Sequence, residues 1–205
     1  LHEGEIINSG AVTTFSNYSV VSESRIVKKP DNIPFDIAIL LGCALPTGGG
    51  MVHNELEISQ DSSVAVIGLG GIGLSALLML IAKKVKNIIA IDVSKKKLDL
   101  VKSWGISNIF HSDSNDLSEQ ILNLTNKGLD FCIESAGQVS TIELGFSLLK
   151  NEGGHLLFAS HPPNNEKISL SPHELISGKK ISGSWGGGTN PDKDFPVMSK
   201  ILMSD

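Results

Sequence analysis

Four residues in the first half of the chain have the types and spacing to hold a phosphate and a sugar. Gly68, Gly70 and Gly73 stand in the pattern G-x-G-x-x-G, and Asp92 closes the next apolar run. In such a pattern the first glycine permits a tight turn and the second lets backbone approach a pyrophosphate. The third lets a helix lie close on a strand. The free N–H groups and the positive dipole end of that helix then face the phosphate charge. A carboxylate at Asp92 accepts hydrogen bonds from both hydroxyls of an adenosine ribose and repels a 2′-phosphate, which favours NAD over NADP. A lone glycine pattern is weak in a chain with 21 glycines among 205 residues. Its weight comes from the elements around it.

Val64-Ala65-Val66-Ile67 is apolar, β-branched and too short for a helix, so it reads as a buried strand. Residues 74–82 are helix formers, nearly all apolar, and Ile88 to Ile91 make a second strand that ends at Asp92. The alternation continues with a helix over 95–104, a strand at 108–110, a helix over 117–124 and a strand over 129–134. A helix over 141–149, strands at 155–159 and 180–185, and a helix over 195–203 complete it. Strands separated by helices of this length predict parallel crossover units. The expected fold is α/β, a doubly wound parallel sheet, that is, a Rossmann dinucleotide-binding domain. Ahead of it, residues 15–21 alternate as a strand, with 25–27 as a short partner. Residues 42–50, with Pro46 and three successive glycines, read as a loop, and residues 51–56 as a short helix.

Composition narrows the function classes. The formal net charge is −5 with acids and bases interspersed, so nothing points to nucleic acid or an anionic membrane. The longest apolar helix candidate, 74–82, is far short of a membrane span. The two cysteines, Cys43 and Cys132, form no C-x-x-C pair, which argues against a disulfide scaffold and a self-contained structural zinc site. The first residue is Leu1 and no signal pattern follows it. The expectation is a cytoplasmic protein whose start is not the native one.

Several stretches together resemble the zinc-dependent medium-chain dehydrogenase/reductase family, alcohol dehydrogenase type. Residues 14–21 resemble the strand that closes that family's catalytic domain. Gly42-Cys43-Ala44-Leu45-Pro46-Thr47-Gly48 resembles its G-C-x-x-x-T-G segment. Val66-Ile67-Gly68-Leu69-Gly70-Gly71-Ile72-Gly73 is similar to its cofactor loop V-x-G-L-G-G-V-G, and Ile91-Asp92 with Lys97 to its ribose-binding turn. Residues 130–137, ending in Ala136-Gly137, and 177–183 fall in register as well. The likeness runs from about Phe15 to the end. It implies that Gly68, Gly70, Gly71, Ile72, Gly73, Asp92, Lys97 and Ala136 bind NAD. It further implies that Cys43 is a ligand of the catalytic zinc, with Thr47 beside the nicotinamide. In that family zinc acts as a Lewis acid on a bound alcohol, whose alkoxide passes hydride to NAD.

Some of these residues suit plainer roles as well. Thr47 as a hydroxyl capping the following helix, Lys97 as a solvated lysine and Cys43 as a small buried thiol all fit the residues alone. Cys132 is mid-strand and belongs to the core. His111 is an ordinary loop histidine or a wall of the adenine pocket. His161, past the fifth strand at the ligand-binding edge, is a candidate nicotinamide-side contact, and Glu134 at the same edge is such a contact or a helix cap. Trp185 reads as a packing or subunit-contact residue, and members of the family pair through this region, which makes a homodimer possible.

The departures from the family are large. Its other zinc ligands, an upstream Cys and a His-Glu pair, belong to a catalytic domain that precedes the Phe15 strand and has no counterpart here. His2-Glu3 is a poor substitute for that pair, being too close to Phe15. The expected organisation is a remnant of the catalytic domain over residues 1–33 and the dinucleotide-binding domain over 34–205. Such a chain binds NAD and does no chemistry alone, with zinc and an alcohol or aldehyde substrate belonging to an intact parent. The alternatives are a stand-alone nucleotide-binding module acting as sensor or subunit, and a zinc-free reductase.

Overall fold

The computed structural model describes residues 14–125 and 128–203. Six parallel strands form one sheet in the order β3-β2-β1-β4-β5-β6. In chain order the strands are β1 (Ser63–Ile67), β2 (Asn87–Asp92), β3 (Asn108–His111), β4 (Phe131–Glu134), β5 (His155–Phe158) and β6 (Lys180–Gly183). The helices are α1 (Phe35–Ala38), α2 (Ala44–Gly50), α3 (Gly71–Ala82), α4 (Lys95–Ser103), α5 (Leu117–Thr125), α6 (Val139–Ser147), α7 (Pro172–Ile176) and α8 (Pro191–Leu202). The doubly wound sheet inferred from the sequence is therefore observed, and the short α7 is an addition to it.

Alternation along the strands feeds two cores. Val64, Val66, Ile88 and Ala90 point to a face covered by α2, α3, α4 and α8, through Leu77, Leu80, Leu98 and Met198. Ala65, Ile67, Ile89 and Ile91 point to the opposite face, where Ile121, Ile142 and Phe146 of α5 and α6 meet them. Burial on both faces is why these strands are continuous apolar runs rather than alternating ones. Cys132 lies in this second core with its thiol pushed up by burial and by the nearby Glu134.

Two expectations for the segment before β1 need correction. No strand forms among the described residues 14–62: Phe15, Tyr18 and Val20 are fully exposed or nearly so, and Glu23–Arg25 is a 3₁₀ turn. An alternating pattern makes a strand only where a partner strand takes its hydrogen bonds, and none of the described residues supplies one here. Residues 42–50 are not a loop either. They include α2, which runs on through a π-helical turn at Met51–Glu55. A Cβ on Gly48 would stand 2.0 Å from the Ile72 carbonyl oxygen, and one on Gly50 2.2 Å from that of Gly187. These glycines serve close packing of α2 on its neighbours, not a turn.

No single helix among the described residues is long and apolar enough to cross a membrane. The segments Phe35–Gly42 and Ala44–Glu55 pass that test only together, and they meet at 59°. The second is largely buried against the rest of the fold.

Lys179 shows how the β5–β6 connection is fastened. Its buried ammonium donates to the Phe146 and Ser147 carbonyls at the end of α6, at 3.2 and 3.1 Å, and to Glu174 Oε1 at 2.6 Å. Removing it leaves two helix-end acceptors and a half-buried carboxylate without their partner. Lys179→Met is expected to lower unfolding stability by about 2–3 kcal/mol, read from the urea midpoint at unchanged m-value.

Candidate functional site

The C-terminal ends of β1, β2 and β4 open into a crevice of about 430 Å³. Gly68, Leu69 and Gly70 form its floor, Asp92 and Lys97 one side, and Ser135, Ala136 and Thr141 the other. This is where strand order reverses from β1 outward, the place at which an open α/β sheet binds ligands. A larger hollow of about 560 Å³ lies between residues 24–42 and the start of α8. It is lined mainly by apolar groups such as Ile26, Phe35, Ile39 and Phe195 and lies away from the glycine loop, so the crevice is the candidate site.

The glycine loop is shaped by steric limits. Gly68 has φ +89, and a Cβ there would meet the Ala136 nitrogen at 2.6 Å. A Cβ on Gly73 would stand 1.9 Å from the Gly68 carbonyl oxygen. Gly70 differs: it caps α3 with extended backbone, and open space surrounds the position of its Cβ. Gly71 and Ile72 follow as the first residues of α3, whose leading N–H groups have no intrahelical acceptor. A Cβ on Gly71 would come within 3.0 Å of the Ala44 Cβ, so the start of α2 abuts the start of α3.

Asp92 is buried at the tip of β2. Its Oδ2 accepts the Leu69 N–H at 2.6 Å and the Lys97 ammonium at 3.3 Å, and its Oδ1 accepts the Ser94 N–H at 2.7 Å. Burial alone would push this carboxyl up, but the two N–H donors and the Lys97 charge outweigh it and hold Asp92 below the usual range. It stays ionised. Across the crevice the Ser135 hydroxyl donates to the Gly68 carbonyl at 2.7 Å and the Ile67 carbonyl at 3.2 Å, tying the β4–α6 turn to the glycine loop.

The remaining candidates are more scattered. Thr47 is buried in α2 and its hydroxyl donates to the Cys43 carbonyl at 2.8 Å. His161 is exposed beyond β5 and meets Trp185 edge-on, ring centroids 5.6 Å apart. Neither lines the crevice. Ser112 and Asp113 do, after β3; their short polar types between a strand and a helix carry no signal in the sequence. Glu134 is legible there only as a strand-end acid, because most of its partners come from backbone.

Cys43 is exposed at the start of α2. Among the described residues no group of three or more His, Cys, Asp or Glu side chains is placed to hold a metal ion. His2 and Glu3 lie outside the described residues. A catalytic zinc takes about three protein ligands. The described residues do not fit one. The crevice does fit a dinucleotide: an open Gly70 at a helix start, with an ionised acid at the neighbouring strand end.

The family model for zinc-binding dehydrogenases matches residues 71–204. The chain belongs to the zinc-binding dehydrogenase family. Relatives include an S-(hydroxymethyl)glutathione dehydrogenase of Escherichia coli, 31% identical over 193 residues, which span 93% of this chain and 52% of that one. An alcohol dehydrogenase class-3 of Zea mays is 31% identical over 193 residues, 93% of this chain and 51% of that one. The crystal structure of benzyl alcohol dehydrogenase from Acinetobacter calcoaceticus superposes with a TM-score of 0.88 at 28% identity, covering 94% of this chain and 53% of that one. The chain thus spans about half the length of the relatives it matches, and the family is one of oxidoreductases.

Two expectations follow for the site. Gly73→Ala forces a Cβ into the Gly68 carbonyl and is expected to cost about 2 kcal/mol or more, whereas Gly70→Ala stays within about 0.5 kcal/mol of the parent. Denaturant unfolding of the two variants checks the contrast. A carboxyl held below its unfolded value stabilises the fold at neutral pH and loses that contribution as pH falls through its folded value. The advantage of the parent over Asp92→Asn is therefore full at neutral pH and shrinks below about pH 4, measured as the difference in unfolding midpoint across the acid range.

Proposed function

We propose that this chain is the NAD-binding part of an alcohol dehydrogenase-like oxidoreductase. The observation that carries it is Asp92, ionised and buried at the tip of β2, facing the same crevice as the open Gly70. In this assignment Gly70, Gly71, Ile72 and Gly73 present the helix start to the pyrophosphate. Asp92 takes the adenosine ribose hydroxyls, Lys97 stands beside them, and Ala136 walls the opposite side. His161 and Thr47 belong to the nicotinamide end. The bound cofactor supplies hydride acceptance; the chain's own residues bind and orient it.

Cys43 is assigned as a zinc ligand in an intact parent that transfers hydride between an alcohol and NAD. The relatives' names support that chemistry, and their length supports a further domain. Exposed Phe15, Tyr18, Val20, Phe35 and Ile39 support it too, since they leave apolar surface uncovered on residues 15–39. We place the boundary of the dinucleotide-binding domain at residues 33–34.

Calorimetric titration with NAD and NADP, each with and without added zinc, tests the assignment. Binding of NAD well above NADP and indifferent to zinc is expected. Gly70→Val should weaken NAD at least about ten-fold, because its side chain occupies the space the pyrophosphate needs. Absence of binding by either nucleotide would refute the proposal.

A further inference from the structure

The turn after β3 brings a second acid to the crevice. Ser112 and Asp113 line it together with Asp92, Val93 and Lys97. The pairing of β2 with β3 sets their place: Asp92 and His111 stand opposite one another, and the Ser112 N–H donates to the Asp92 carbonyl at 3.2 Å. Two further bonds shape the turn. The Asp113 N–H donates to His111 Nδ1 at 3.3 Å, and the Ser114 N–H to the His111 carbonyl at 3.1 Å. Asp113 is therefore carried on the same ladder that carries Asp92.

The two oxygens of the Asp113 carboxylate differ. Oδ1 accepts the Ser112 hydroxyl at 3.2 Å. Oδ2 has no hydrogen-bond donor among the described residues; His111 Nδ1 stands 3.9 Å away and already accepts the Asp113 N–H. An acid on an exposed turn is ordinarily a solvated surface group. This one lines a cavity that Ile91, Val93, Ala136 and Leu144 also line, and Val93 is 63% exposed there.

A nucleotide has a fixed covalent order of phosphate, sugar and base, and the sheet edge offers its groups in the same order. The glycine loop leaves β1, Asp92 ends β2, and Asp113 follows β3, the outermost strand on this side. With the pyrophosphate at Gly70 and the ribose hydroxyls at Asp92, the base falls on the far side of the sugar, toward β3. Val93, and Leu144 of α6, offer apolar surface to its flat faces. Its edge then meets Asp113, and a carboxylate only accepts. Adenine presents an exocyclic amino donor at that edge, whereas hypoxanthine presents a carbonyl whose lone pairs oppose those of the carboxylate.

We propose that Asp113 is a specificity residue for the base of the dinucleotide: its Oδ2 accepts from the exocyclic amine of adenine, so the site selects an amino-bearing purine over an oxo-bearing one. This rests on the dinucleotide assignment above. The test is titration calorimetry on the full chain, comparing NAD with its analogue that carries hypoxanthine in place of adenine. The two share both riboses, the pyrophosphate and the nicotinamide. The parent is expected to bind NAD about five-fold or more tightly than the analogue. Asp113→Ala removes the acceptor, and NAD weakens to within about two-fold of the analogue. Asp113→Asn accepts from an amine through its amide oxygen and donates to a carbonyl through its amide nitrogen. NAD then stays within about two-fold of its parent affinity while the analogue gains about three-fold. Each readout is a ratio of two affinities on one protein, so any change in the folded fraction cancels.

A parent that binds NAD and the analogue equally would overturn the proposal. So would an Asp113→Ala that keeps the parent's ratio, because a merely structural role weakens both dinucleotides alike. An Asp113→Asn as selective as the parent would overturn it too, since an amide accommodates either base. A parent chain that binds neither dinucleotide refutes the dinucleotide assignment instead.

Discussion

The rest of the structure depends on one steric constraint, the approach of backbone to backbone where β1 turns into α3. The Gly68 carbonyl sits where a Cβ on Gly73 would fall, and the Ala136 nitrogen sits where one on Gly68 would fall. Only glycine allows strand, turn and helix to close up this far. The start of α3 is thereby brought to the ends of β1, β2 and β4 together. Two hydrogen bonds then lock the arrangement, Leu69 N–H to Asp92 on one side and the Ser135 hydroxyl to Gly68 on the other. The crevice is the space left over when these contacts are made.

The two ends of the sheet divide the work. At the N-terminal end Asp130 accepts from the Ser63 N–H and hydroxyl and pairs with Lys150, while His155 bonds the Ser182 hydroxyl at 2.7 Å. Burial pushes Asp130 up, but Lys150 and Ser63 outweigh it and hold it below the usual range. Both Asp130 oxygens have a partner from a neighbouring strand or loop, so the network fastens strands. At the C-terminal end the groups face open space: Gly70 with nothing near its Cβ, and Asp92 and Thr141 in the crevice wall. Polar groups at one end are satisfied internally, and those at the other are held in place but left accessible.

Much of this is legible in the sequence because it is local. The sheet follows from apolar runs whose length and β-branching suit doubly buried strands. Gly68, Gly70, Gly73 and Asp92 are recognisable because turn, helix and strand follow one another along the chain. What the sequence hides is non-local. Gly48, Gly49 and Gly50 suggest a loop, yet they sit within a helix because α2 presses on α3 and on Gly187. Residues 15–21 alternate like a strand, yet alternation specifies only a face, and a strand needs a partner. Glu134 is readable only as a contact or a helix cap: the choice of donors is hidden, since two of its three are backbone N–H groups that carry no sequence signal. Lys179 is silent for the same reason: two of its acceptors are helix-end carbonyls on α6.

Asp92 and Glu134 end neighbouring parts of one sheet edge, both buried, and are driven in opposite directions. Burial raises each. Asp92 spreads its charge over two oxygens with three donors, one of them a lysine, and so remains ionised. Glu134 gathers its donors on one oxygen, has no cation, and leaves the other bare; desolvation prevails. The β2 side of the crevice is thus floored by a carboxylate held in its ionised form. An anionic floor favours a sugar's hydroxyls and disfavours an added phosphate.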